Sequence, residues 1–161
     1  MKNCDNHYKS MVNLANNYYY ALKILRDKMR PSEGKDNLEN YIQLVFPVTN
    51  LASLTCEIYL KALAYQFQKA QEPESGHDLV DLFSKIDPKY YQWCEIEFNK
   101  ENNNRCKFVD EITKYRRYYP DWRYLYERGW TEPEFSYGVK PSSLFYICEL
   151  LNKLANGKVT V

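Results

Sequence analysis

The stretch from Pro47 to Phe83, PVTNLASLTCEIYLKALAYQFQKAQEPESGHDLVDLF, constrains this chain most: an amphipathic helix, a short polar turn and a second helix opening. Leu51, Leu54, Ile58, Ala62 and Tyr65 recur at helical steps, and Leu60, Leu63 and Phe67 add a second apolar row. A helix apolar around most of its circumference belongs at the centre of a bundle. Asn50, Ser53, Glu57, Lys61 and Gln68 share one narrow polar stripe, with Glu57 one turn before Lys61 in the favourable order for a helical ion pair. Such a stripe is either a solvated edge or the polar framework of a site.

Helical periodicity extends to both sides. Tyr8, Met11, Ala15, Tyr18, Leu22, Leu25 and Met29 predict a first helix over about residues 6–29, broken by PSEGKDN at 31–37. Asp36 and Glu39 have the spacing of a capping box for the next helix, which Pro47 either kinks or restarts. The central helix is expected to end near Gln71, EPESG at 72–76 to form a turn, and His77 or Asp78 to cap a short helix through Ile86. Asp87-Pro88 reads as an N-cap and first helical position, opening a helix with Tyr91, Trp93, Cys94 and Phe98 that stops at NKENNN, residues 99–104. Phe108, Ile112, Tyr115 and Tyr119 define a buried face within a helix from Arg105 to Tyr119, ended or bent by Pro120. Residues 128–143, with two Gly and two Pro, read as an ordered loop pinned by Trp130 and Phe135. A last helix carries Leu144, Ile147, Cys148, Leu151 and Leu154 and ends at Asn156-Gly157. Only the terminal KVTV resembles a strand. The expected fold is all-α, a bundle of about five to six helices in one domain spanning residues 1–161.

Composition narrows the class. At 45% hydrophobic and 27% charged residues, 161 residues suffice to bury about two thirds of the unfolded surface. A net charge of +1 supplies no global field for nucleic acid or membranes, so any basic site must be local. The five cysteines, at 4, 56, 94, 106 and 148, form no C-x-x-C pair and read as reduced thiols. With no apolar signal region and no membrane-length segment, the expected location is the cytoplasm, without membrane contact.

Common catalytic patterns are absent. Glu74 and His77 match the Glu-x-x-His spacing of di-metal bundles, but Pro73 and Gly76 place them in a turn and no second copy exists. No metal or cofactor is expected, and neither a phosphate-binding Gly-rich loop nor a G-x-S-x-G elbow occurs. The segment 115–130, YRRYYPDWRYLYERGW, interleaves Arg116, Arg117, Arg123 and Arg128 with seven aromatic residues. That mixture suits single-stranded nucleic acid, where guanidinium groups meet phosphates and rings stack on bases; it equally suits arginines lying over core aromatics. Helical phase puts Arg116 at the core edge and Arg117 outward, and Glu57 is the expected carboxylate partner of Arg116.

E-I-Y-L-K-A-L at 57–63, G-H-D-L-V-D-L-F at 76–83 and the later Y-R-R-Y-Y at 115–119 together resemble the HEPN superfamily of helical domains over roughly residues 5–155. The resemblance implies a four- or five-helix bundle, usually dimeric, from prokaryotic toxin–antitoxin, phage-defence or RNA-processing systems. It places Glu57 and Lys61 on the central helix and opens the short helix at Gly76-His77-Asp78. Active members are metal-independent ribonucleases with an Arg followed after four to six residues by a His. Here those positions hold Asp121, Trp122 and Arg123 after Arg116, and Trp122, Arg123 and Tyr124 after Arg117. Without that imidazole, cleavage would lose about 10²–10⁴-fold.

Three functions follow as expectations. The first is a non-catalytic or degenerate HEPN-like module binding RNA, a nucleotide or a partner protein. In it Arg116, Arg117 and Arg123 contact phosphate, Trp122 and Tyr124 stack, and Glu57, Lys61, His77 and Asp78 form the polar framework. The second is an endoribonuclease in which a dimer brings Arg116 to His77 or Tyr124. The third is a purely structural dimer. The expected assembly is a homodimer, with an antitoxin or nucleotidyltransferase as the partner the resemblance suggests.

Overall fold

The computed structural model describes residues 2–29, 38–70, 72–103, 105–117 and 141–159. Among the described residues are six helices and no strands: α1 (Lys2–Met29), α2 (Leu38–Gln68), α3 (Leu79–Ser84), α4 (Pro88–Glu101), α5 (Phe108–Lys114) and α6 (Pro141–Ala155). The chain is an all-α single domain, and none of these helices is long and apolar enough to cross a membrane.

Small side chains decide where the long helices meet. Ala15 on α1 and Ala52, Ser53, Cys56, Ala62 and Ala64 on α2 are essentially solvent-free, and α2 packs most extensively on α1 and next on α6. Close approach of this kind strengthens dispersion contacts along the whole crossing. The buried centre of α2 runs through Ala52, Cys56, Tyr59, Leu60 and Leu63, whereas Leu51, Leu54 and Ile58 of the expected first face are only half-buried and Phe67 is exposed. Two buried threonines satisfy themselves within the helix: Thr49 and Thr55 donate to the carbonyls of Val45 and Leu51, each at 2.6 Å. Pro47 neither ends nor restarts α2, which runs through it.

Shorter elements form a second packing centre. Phe108 of α5 meets Phe83 of α3 at 5.3 Å between centroids, Phe98 of α4 at 5.4 Å and Tyr91 at 5.6 Å. Edge-on aromatic pairs each add about 0.5–1.5 kcal/mol beyond burial. This cluster fixes the start of α5 against the end of α3.

Helix ends follow local chemistry, with several corrections. Asp87 caps α4 by accepting from the Lys89 N–H at 2.9 Å, with Pro88 at the first position, but α4 continues through Asn99 and Lys100 to Glu101. Helix α2 stops at Gln68 rather than Gln71, where Lys69 takes φ 50°, and α3 stops at Ser84 rather than Ile86. At the end of α6, the Lys158 N–H donates to the Lys153 carbonyl and the Gly157 N–H to that of Leu154, with Gly157 at φ 62°. That is a Schellman closure, which needs a residue at ease with positive φ. Lys158 and Val159 of KVTV belong to no strand. Of the expected helix from Arg105 to Tyr119, the described residues 105–117 are helical only over Phe108–Lys114, closed at Tyr115 by bonds back to the Ile112 and Thr113 carbonyls. Asp36 of the expected capping box, Trp130 and Phe135 lie outside the described residues.

Candidate functional site at the α2–α3–α5 junction

Asp78 organises the junction. Its Oδ1 accepts from the backbone N–H groups of Val80 at 3.0 Å and Asp81 at 3.1 Å, the N-cap of α3, while Oδ2 accepts from Nε of Arg116. One carboxylate therefore both starts a helix and holds a guanidinium. The Leu79 N–H also donates to the Arg116 carbonyl at 2.9 Å, tying the turn after α5 to the start of α3 through the backbone. Burial alone would raise the Asp78 carboxyl, but the Arg116 guanidinium and the two backbone donors outweigh it and hold it below its ordinary value.

The neighbouring residue turns the other way. Nδ1 of His77 lies 2.8 Å from Oε1 of Glu57, and Nζ of Lys61 reaches the same oxygen at 2.9 Å. Glu57 is 4% exposed, while the His77 side chain is 50% exposed. An ionised Glu57 requires a proton on Nδ1, and in the neutral ring Nε2 of His77 then carries the lone pair. Oε2 of Glu57 is buried and has no hydrogen-bond partner among the described residues.

Glu57 is thus not the partner of Arg116. Helix α5 ends before Arg116, so the helical phase that set Arg116 at the core edge does not apply, and its side chain is 55% exposed and reaches Asp78 instead. The polar stripe of α2 is not a solvated edge either: Ser53 and Glu57 are buried, Lys61 is 16% exposed, and only Gln68 is exposed. Of the two cap candidates it is Asp78, not His77, that caps α3. Glu74 is no partner to His77 but pairs with Lys85 at 2.8 Å. Arg117 is exposed; Trp122, Arg123 and Tyr124 lie outside the described residues.

Sequence reasoning missed the Glu57–His77 pair. The available signal was an acid on the inward side of a mostly apolar helix, followed by a turn short enough to return a histidine to it. It also missed buried Glu111, which holds Lys114 at 2.7 Å, and a polar cluster of Asn16, Tyr59 and Asn152. Among the described residues, no group of three or more His, Cys, Asp or Glu side chains is arranged to hold a metal ion. No protein-family model, curated protein or solved structure matches this chain.

Proposed function

We propose that this chain is a HEPN-like helical module that binds RNA through phosphate contacts at the α2–α3–α5 junction, in a prokaryotic defence or toxin–antitoxin setting. The observation that carries the reading is the division of labour between adjacent residues. His77 is held from beneath by buried Glu57, and Asp78 holds Arg116, so an imidazole and a guanidinium are both oriented and both accessible. Arginine and histidine suit phosphate oxygens, and orientation by carboxylates lowers the entropy lost on binding. A buried carboxylate oxygen without a donor is costly, and departures of that sort concentrate at functional sites.

Single-stranded RNA titrated against the full chain tests this. Affinity is expected to fall with salt, and Arg116→Ala to weaken it about tenfold, the worth of one charge-assisted contact. Binding indifferent to both would remove the RNA reading.

The orientation of His77 favours a second reading, a metal-independent ribonuclease. Nε2 would take the proton of a ribose 2′-hydroxyl, the 2′-oxygen would attack phosphorus, and the bond to the 5′-oxygen would break, that oxygen gaining a proton from water. Arg116 would stabilise the charge on the phosphoryl oxygens. Cleavage in EDTA that is lost in both His77→Ala and Arg116→Ala supports the enzyme; intact RNA leaves the binding module alone.

A further inference from the structure

Away from that junction, one face of α6 lines a cavity of about 460 Å³. Ser142, Tyr146, Glu149 and Lys153 recur at four-, three- and four-residue steps, forming a stripe roughly 16 Å long at 1.5 Å per residue. Arg26 of α1 and the end of α4 contribute the remaining walls.

Three features at one end favour an anion. Helix α6 begins with Pro141, which has no N–H, and Ser142 and Ser143 follow it at the positive end of the helix dipole. Ser143 lines the cavity, is 9% exposed, and its hydroxyl makes no hydrogen bond among the described residues. Arg26 joins them, its guanidinium 5.6 Å from the centroid of the Phe145 ring, which holds it over the first turn of α6.

The rest of the lining limits what that anion can be. Lys153 is already paired with Glu149 at 2.8 Å, and Glu101 adds a second carboxylate, so the cavity as a whole is neutral and unsuited to a polyanion. Asn102 donates its amide N–H to the Phe98 carbonyl at 2.9 Å, leaving its side-chain oxygen, like Glu101, to accept. A ligand with one anionic group and several hydroxyl donors satisfies both sets.

The geometry points to this groove as a binding site for a small hydroxyl-bearing phosphate monoester, its phosphate on Ser142, Ser143 and Arg26 and its hydroxyls toward Glu101 and Asn102. The site shares no residue with the junction above and stands apart from the RNA reading. Adenosine 5′-monophosphate, titrated into the full chain and followed by amide resonances, tests it against inorganic phosphate and adenosine. The monophosphate is expected to shift the resonances of residues 142–146 and to bind more tightly than either fragment. Arg26→Gln should weaken it about tenfold and Ser143→Ala about threefold, with far-UV circular dichroism confirming the fold of each. No shift at millimolar monophosphate, shifts confined to residues 77–79, inorganic phosphate binding equally well, or affinity unchanged in both folded variants would each overturn the assignment.

Discussion

Tyr59 and Glu57 sit two residues apart on α2, both buried, and are treated in opposite ways. The Tyr59 hydroxyl donates to Oδ1 of Asn16 at 2.7 Å and accepts from Nδ2 of Asn152 at 2.7 Å, and Asn152 also reaches Asn16 at 2.9 Å. Three helices are joined by a cluster in which the hydroxyl both donates and accepts, and burial pushes the Tyr59 phenol well above its ordinary value. Glu57 instead concentrates two donors on one oxygen and leaves the other without any among the described residues, and one of those donors is a half-exposed imidazole. A satisfied cluster fixes helix register; an unevenly satisfied one that ends in an accessible ring marks a place where binding can act.

Removal of the Tyr59 side chain should give the largest effect. Tyr59→Ala empties the space between α1, α2 and α6 and is expected to lower unfolding free energy by about 3–5 kcal/mol in urea titrations. Arg116→Ala, cutting a half-exposed ion pair, should lower it by under about 1 kcal/mol. Equal losses would erase the distinction between the two regions. Replacing Glu57 sharpens it: Glu57→Ala should destabilise by about 1–3 kcal/mol, while Glu57→Gln keeps an acceptor for His77 and should lose less than half of that. If the two variants unfold alike, the carboxylate is not positioning His77.

The smallest effect concerns acid. Because the folded state holds the Asp78 carboxyl below its ordinary 3.8, its stabilisation is complete above that value and disappears as pH falls through it and on through the lower folded value. Asp78→Asn keeps an acceptor for the cap but loses the charge facing Arg116. Its urea midpoint should therefore lie below that of the parent at neutral pH, and the two should converge at low pH; parallel curves would show that the Asp78–Arg116 pair contributes nothing.

Legibility in the sequence followed the range of the interactions. Periodicity, Asp87-Pro88 and Asn156-Gly157 act within a few residues, and they placed α1, α4 and the closure of α6 closely. Helix α5 was overextended because Phe108, Ile112 and Tyr115 keep helical spacing while the backbone closes at Tyr115 and turns to meet Leu79. Glu57, Lys61, His77, Asp78 and Arg116 were all legible as candidates, and so was the Glu57–Lys61 pair, but the partners of His77 and Arg116 were not. Which of two adjacent residues faces which carboxylate depends on the path of a turn, and spacing does not carry that path. Asn16 and Asn152 gave no local signal, since their partners lie on other helices.

The thiols have a practical consequence. Sγ of Cys56 and Sγ of Cys148 lie 3.2 Å apart between α2 and α6, both inaccessible, and burial pushes the Cys56 thiol well up. An alkylating reagent can reach them only when these two helices separate, whereas half-buried Cys106 needs far less movement. The chain therefore carries a clock for its own breathing: the ratio of slow to fast labelling counts how often the bundle parts.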